Sequence, residues 1–382
     1  IDADEVTDRQ RRSIGPLTYQ AGHHTVYQHA TFEFALSGIS RQLVWSFLHS
    51  FPFYNTEQQS QRFVKLDEVR AHLPPELGGE ARETFVRSVE ASWRAYAELS
   101  KRLEPVVLGL LSELWRLKKR QSKAFGRSVA KEAEKKAIET ARYVIPVACH
   151  AAMVYTVSGL TLHRLRRMAA ACDASREART LVDRMVAEVE RIDPAFFQEI
   201  GDAPLESTEV VEFSLSQAGL GDPAALEAFD KSLDGRRARL VDYGLRGPEV
   251  IADAVRQVIG RPDLDDESAL DCVLDPARNR RRLDALDISA HSPLMRTLHH
   301  ANYTFKKKLS HSADSQDQRH RMVPASRPML TRTVPGFVDV VEPELIASDP
   351  ACHNLFRESV EAAWEARSRL LELGAPAELA LY

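Results

Sequence analysis

Cysteine is scarce in this 382-residue chain, and the four present, Cys149, Cys172, Cys272 and Cys352, stand far apart. With no Cys-x-x-Cys pair and no tight spacing, neither a zinc ribbon nor a disulfide framework is supported. A reducing cytoplasm is the expected setting. Long apolar runs are missing as well. Stretches such as Val144 to Val157 are broken by His150 and fall short of a bilayer span, so no membrane partner is expected. Gly-x-Gly-x-x-Gly occurs nowhere, which removes a Rossmann mode of dinucleotide binding. Neither sign of charge dominates: 51 Lys and Arg against 55 Asp and Glu leave a formal net charge of −4. A molecule so balanced is no general polyanion binder, so any phosphate recognition has to be local. The opening Ile-Asp-Ala-Asp-Glu is acidic and unlike a signal peptide. With no initiator Met, the sequence is expected to begin inside its gene product.

What remains is an ordinary globular balance, 44% hydrophobic and 28% charged residues, at a length that suggests about two domains. The chain also echoes itself. His29-Ala30-Thr31-Phe32-Glu33-Phe34 returns as His300-Ala301-Asn302-Tyr303-Thr304-Phe305. Phe85 to Trp93 returns as Phe356 to Trp364, and both pairs are separated by 271 residues (300 − 29 and 356 − 85). Gln59-Ser60-Gln61-Arg62 is matched, in the same order, by Gln316-Asp317-Gln318-Arg319. A period this long points to duplicated domains rather than to a solenoid.

Local patterning fills in the copies. Thr31 to Leu36 alternates as a half-buried strand does. Arg41 to Ser50 is apolar enough for either helix or strand. Residues 80–142 have helical spacing with almost no breakers, Ala141 to Arg167 reads as a second long helical region, and Asp173 to Ile192 as a third. Loop signals cluster between 201 and 224, with Gly201, Pro204, Gly219, Gly221 and Pro223. Two short helices are expected after them, Ala224 to Leu233 and Pro248 to Ile259. The expected organisation is copy one at 1–200, a linker and helical insert at 201–269, and copy two at 270–382.

The segment Gly22-His23-His24-Thr25-Val26-Tyr27-Gln28-His29-Ala30-Thr31-Phe32-Glu33-Phe34 resembles the Gly-His-x-(Ser/Thr)-x-x-x-His-x-x-Phe-x-Phe segment of flavin-dependent thymidylate synthases, the ThyX family. Arg41-Gln42 follows, as an Arg-Gln often does there. Asn55 to Phe63 is similar to that family's Asn-Glu-x-Ser-x-Arg-Tyr, and Ala141-Arg142-Tyr143-Val144-Ile145-Pro146 to its Ala-Arg-x-x-Leu-Pro, with Thr156 continuing the pattern. The likeness spans about residues 20–195, and a patchier one runs from about 290 to the end.

The resemblance implies an α+β fold: a duplicated ThyX-like domain, helix-rich with short, mostly antiparallel sheets. It implies an enzyme in which FAD carries the hydride, methylenetetrahydrofolate donates the carbon, dUMP accepts it and NADPH reduces the flavin. A pyrimidine nucleotide is the expected partner, together with a second copy of the chain in a homo-dimer shaped like the family's tetramer. By the same resemblance His23, Thr25 and Arg41 would contact FAD, with His291 as copy two's partner of His23. Ser60 and Arg62 would hold the nucleotide phosphate, with Arg319 as the later equivalent of Arg62 beside Gln318 and Arg321. Arg suits phosphate because its planar fork donates two parallel hydrogen bonds. No catalytic residue is assigned.

The departures concern the grips rather than the scaffold. The family's Arg-His-Arg would fall between Arg41-Gln42 and Asn55, where Leu43 to Tyr54 contains no arginine. Its later Asn-x-Arg becomes Ser158-Gly159-Leu160, and its substrate arginine aligns with Ala169, although Arg166 and Arg167 are close by. Its Ala-Gln-Trp-Glu becomes Ala174-Ser175-Arg176-Glu177. In copy two, Arg319-His320-Arg321 gathers two arginines and an imidazole near Lys306, Lys307, Lys308, Ser326 and Arg327. It is the best local anion site in the sequence, against the plainer reading of a basic surface loop. Copy two is also expected to continue for about a hundred residues past Tyr382, because Gly374 to Tyr382 resembles only the lead-in to a helix that starts at Ala141 in copy one.

Other signals have plainer readings. His23, His24 and His29 do not complete a metal set. Arg278 to Arg282 suits a solvated helix face, and nucleic acid is not expected as a partner. Phe47, Phe51, Phe53 and Tyr54 suit a core, or a stacking platform for a flavin or pyrimidine ring. Two alternatives to thymidylate synthesis stay open: flavin-dependent C5 modification of another pyrimidine nucleotide or polynucleotide, and a non-catalytic nucleotide-binding scaffold.

Overall fold

The computed structural model describes residues 5–50, 53–60, 65–116, 123–200, 202–215, 220–282, 284, 291–318, 320 and 323–382. They fall into two compact units, residues 1–223 with 310–382, and residues 224–309. The fold is helix-rich with short antiparallel sheets, as the α+β expectation has it. No described helix is long and apolar enough to cross a membrane.

The larger unit begins with α1 (Asp8–Leu17), a 3₁₀ turn at His24–Gln28 and strand β1 (Thr31–Ser40). Ser40 then ends the strand and starts α2 (Arg41–Ser50) by accepting the Leu43 N–H on its Oγ at 2.9 Å, as an N-capping serine does. α2 is buried on nearly every face: Leu43, Val44, Trp45, Phe47 and Leu48 are each at most 6% exposed, and the polar Gln42 and Ser46 are buried with them. Strand β2 (Asn55–Gln58), helix α3 (Gly79–Leu114) and helix α4 (Lys123–Ala141) follow.

The expected helix at 141–167 is corrected by the structure. A 3₁₀ turn at Arg142–Val144 leads through Pro146 into strand β3 (His150–Ser158), and only then comes helix α5 (Gly159–Met168). The reason is tertiary. β3 is the centre of the sheet β1–β3–β2, with antiparallel partners on both sides, and it buries Ala151, Met153, Tyr155 and Val157 in strict alternation. Gly38 makes the one irregularity in β1. It inserts a residue between the Ser37–Ala152 and Ile39–Ala151 pairs at φ +67, a left-handed value that glycine adopts freely.

Helix α6 (Ser175–Ile192) and the short α7 (Val211–Leu215) precede the smaller unit. That unit contains most of α8 (Pro223–Ser232), β4 (Ala238–Tyr243), α9 (Gly247–Ile259), α10 (Asp266–Leu274), a 3₁₀ turn at Met295–His300 and β5 (Tyr303–Lys307). Its core is Ile251, Ala252, Val255, Ala269 and Val273. β4, which pairs with β5, lies inside the stretch read as linker and helical insert. The larger unit resumes with α11 (His311–Asp317), α12 (Leu330–Thr333), α13 (Glu344–Ala347), α14 (Pro350–Glu372) and α15 (Ala377–Leu381).

The duplication is visible as secondary structure. Moved along by 271 residues, the His24 turn falls on the Met295 turn, β1 on β5, α2 on α11, and the first residue of α3 on the first residue of α14. The two long counterparts pack together, with Phe356 and Val360 of α14 in one core with Tyr96, Leu99 and Leu103 of α3. The separation of 271 carries Gln59–Arg62 onto residues 330–333, which are α12. Gln316, Asp317 and Gln318 of the other likeness lie at the end of α11, the counterpart of α2.

Candidate functional site

A candidate site among the described residues of the larger unit lies where α2 of the first copy meets α11 of the second. A cleft of about 40 Å³ is lined by Arg41, Arg142, Ile145, Pro146, Val147, His311, Ser312 and Ser315. At roughly 10–15 Å³ for each water, the space suits one phosphate-sized group and is far too small for a flavin ring. The sequence builds it directly. Capping by Ser40 makes Arg41 the first residue of α2. Pro146 ends the turn that begins at Arg142, and Ser310 caps α11 through the Ala313 N–H at 3.1 Å, placing His311 and Ser312 in its first turn.

Two guanidiniums and an imidazole line the cleft. Arg41 donates from Nη1 to Gln58 Oε1 at 2.8 Å, and none of the eight lining residues is acidic. Burial, and then the Arg142 guanidinium, lowers the Arg41 pKa, so two like charges face one space. Burial first, and Arg41 next, pushes the His311 imidazole down to about 4. His311 is therefore neutral at pH 7. Its Nε2 is sealed from solvent and has no hydrogen-bond partner among the described residues.

Behind the cleft, Asp314 acts as a hub. Trp45 Nε1 donates to its Oδ2 at 2.8 Å, and Arg327 Nε donates to both oxygens, at 3.0 and 3.1 Å. His49 Nε2 stands 3.5 Å from Oδ2, yet burial outweighs that carboxylate and holds the His49 pKa down to about 4. The Trp45 ring lies 4.7 Å from that of His49 and 5.3 Å from that of His311. Gln42 is 1% exposed, and neither of its amide atoms has a described partner. Orphaned buried polar atoms on one helix are unusual and mark a polar seam rather than a sealed core.

Of the residues expected at a site, Arg41 is in this cleft. Gln318 is buried at the end of α11 with its Oε1 unpartnered among the described residues. Ser60 is half-buried just after β2. His23 and Thr25 are exposed at the 3₁₀ turn, and His291 is exposed in the smaller unit, three residues before Leu294, the position 271 beyond His23. Arg62, Arg319 and Arg321 lie outside the described residues, as does Phe51. Phe47 and Tyr54 are core residues beside Tyr155, with ring centroids 5.9 and 5.5 Å away, whereas Phe53 is 71% exposed. No group of three metal-ligating side chains occurs among the described residues. Sequence reasoning missed Trp45, His49, His311, Ser312, Asp314 and Ser315 as one constellation. The constant separation of 271, which pairs α2 with α11, was the signal that would have found it.

Two carboxylates brace the surroundings. Glu177 accepts from Ser40 N at 2.8 Å, from Ser40 Oγ at 2.5 Å and from Tyr382 OH at 2.5 Å, tying the start of α2 to α6 and the last residue. Asp173 accepts from Leu330 N and Thr331 N at 3.1 Å each and from Thr331 Oγ1 at 2.9 Å. It thus sits on α12, the counterpart of residues 59–62.

Comparison with known proteins identifies the family. The model of the Thy1 family, "Thymidylate synthase complementing protein", matches residues 2–195 and again 239–382. The chain belongs to the Thy1 family. A flavin-dependent thymidylate synthase of Clostridium tetani (strain Massachusetts / E88) is 36% identical over 202 residues, 52% of this chain and 74% of the relative. One of Mycobacterium sp. (strain JLS) is 29% identical over 194 residues, 50% of this chain and 71% of the relative. The two matched stretches make this a Thy1 protein with the family domain twice, from a family of enzymes.

Proposed function

We propose that this Thy1 chain acts as a flavin-dependent thymidylate synthase-like transferase in the cytoplasm. The reaction is reductive methylation at C5 of dUMP, with methylenetetrahydrofolate as carbon donor and NADPH as the source of reducing equivalents. FAD, when bound and reduced, supplies the hydride. The relatives' names and the seam cleft support this reading. The chain's own part there is to grip a phosphate group. Arg41 and Arg142 supply charge, the Ser312 hydroxyl is one further donor within reach of the space, and neutral His311 hydrogen-bonds without adding charge. Ile145, Pro146 and Val147 give the space an apolar wall. His23, Thr25 and His291 remain assigned to FAD. Ser60 with Arg62, and Gln318 with Arg319 and Arg321, remain assigned to the nucleotide, and a homo-dimer is the proposed assembly.

The observation that carries the proposal is the pair of like-charged guanidiniums facing one cleft with no acidic lining. A second reading has its own support. α2 carries Trp45, Ser46 and Phe47, all buried, in a stretch where the resemblance expects arginines, and that favours a nucleotide-binding scaffold without catalysis. Thermal melts with FAD and with dUMP, followed by tritium release from C5-labelled dUMP, separate the two, since a ligand selective for the folded state must raise its stability. Stabilisation with tritium release supports the enzyme, and stabilisation without release the scaffold. A melt unmoved by either ligand would end both.

A further inference from the structure

Among the eight residues that line the cleft, His311 is the one whose charge changes in mild acid. The charged and titratable groups around it come from three elements. α2 brings Arg41 and His49, and the turn at Arg142–Val144 adds Arg142 to the same lining. Tyr143 of that turn meets the start of α11, where it accepts from Ser310 Oγ at 3.4 Å. α11 itself supplies Asp314, whose carboxylate is already engaged by Trp45 and Arg327.

By itself this protein environment opposes a proton on His311. Burial first, then Arg41, and after them His49, hold its pKa down to about 4, and Asp314 alone pulls the other way. An anion in the cleft reverses the balance. In a space of about 40 Å³ that both arginines line, a tetrahedral dianion offsets their charge and stands against the imidazole as well. The imidazole Nε2 has no partner among the described residues, so it is open to the new contact. An opposite charge that close raises an imidazole's pKa by roughly 1–3 pH units.

Taking the cleft as the phosphate grip proposed above, we infer that it binds its anion together with a proton from solvent, carried on the His311 ring, so that the grip tightens in mild acid. At pH 7 the imidazole meets the anion uncharged and donates one hydrogen bond. As the medium turns acidic, the same ring becomes a third cation beside Arg41 and Arg142, and the anion stays doubly charged. His49 stands 3.5 Å from Asp314 Oδ2 and is not among the lining residues. The proton therefore belongs on His311 and not on the imidazole behind it.

Sulfate is the probe, because it has the shape and charge of the phosphate dianion and does not itself titrate in this range. Calorimetry of the full chain with sulfate at about pH 5.5, repeated in buffers of different ionisation enthalpy, counts protons with no variant needed. Uptake of roughly 0.2–1 proton per sulfate is expected. Affinity should tighten roughly tenfold from about pH 7.5 to about pH 5, and His311→Asn should abolish the uptake and flatten that dependence. Displacement of sulfate by dUMP or by FAD tells which phosphate the cleft takes. Sulfate that binds without proton uptake overturns the inference and leaves the phosphate grip standing. Uptake that persists in His311→Asn overturns it too, because the proton then lies on another group. If sulfate, dUMP and FAD all fail to bind, the phosphate grip falls and the inference with it.

Discussion

Arg41 illustrates how much one side chain conveys once its neighbours are known. In sequence it was half of an Arg-Gln pair. In the structure it shares a cleft with Arg142, and burial first, then the Arg142 guanidinium, lowers its pKa. Removing either one costs a charge-assisted bond of about 1.5–3 kcal/mol, so Arg41→Ala and Arg142→Ala should each weaken the stabilising phosphate ligand roughly tenfold to a hundredfold. Arg41→Lys should fall between, keeping charge but losing the fork. Isothermal titration with dUMP and with FAD reads this directly, and unchanged affinity in both alanine variants removes the site. His49 and His311 give a second prediction. Their ordinary pKa is about 6.5, and both are held down to about 4 in the folded chain. Between those values the unfolded chain takes up protons that the native one refuses. The stability these sites contribute is thus complete above about pH 6.5 and lost as pH falls toward 4. Melting temperature should drop from pH 7 to pH 5, with a shallower slope in the His49→Asn, His311→Asn double variant. An identical slope would show that other groups carry the acid sensitivity.

Elements were legible where local pattern and tertiary role agree. Residues 80–142 read as helix because α3 buries Phe85, Val89, Trp93, Tyr96, Leu99 and Leu103 at the three- and four-residue spacing of a single face. β3 was misread because Ala151, Ala152 and Met153 suit a helix as well, and only two flanking strands decide the matter. α2 stayed ambiguous because a segment buried all round has no polar face to reveal its period. The N-cap that settles it depends on Ser40, which also fills Glu177. Ser40→Ala removes the cap and one partner of a buried carboxylate, and should cost about 2 kcal/mol in urea denaturation. Phe356, 1% exposed between the counterpart long helices, should cost about 3–5 kcal/mol as Phe356→Ala. A loss under 1 kcal/mol there would mean that α14 does not depend on α3.

For the whole molecule, the repeat was readable from two strings of identities, and its consequences were not. Sequence alone offered no reason to expect that β4 would lie inside the stretch read as linker, or that the chain would divide as 1–223 with 310–382 and 224–309. The smaller unit rests on a core of five fully buried residues, so it should open first. Amides of 224–309 are expected to lose exchange protection at lower urea than those of β3 and α3, and simultaneous loss would show one cooperative body. Duplication also raises the question of how many anion ports one chain keeps. Residues 59–62 fall on α12 when moved along by 271, and α12 already holds the carboxylate of Asp173 in two backbone amides and a hydroxyl. A tethered plug competes at an effective concentration that a free metabolite seldom reaches. If the proposed phosphate grip at Ser60 is real, its counterpart is therefore occupied from within, and phosphate titration of the full chain should show one site of this kind and not two.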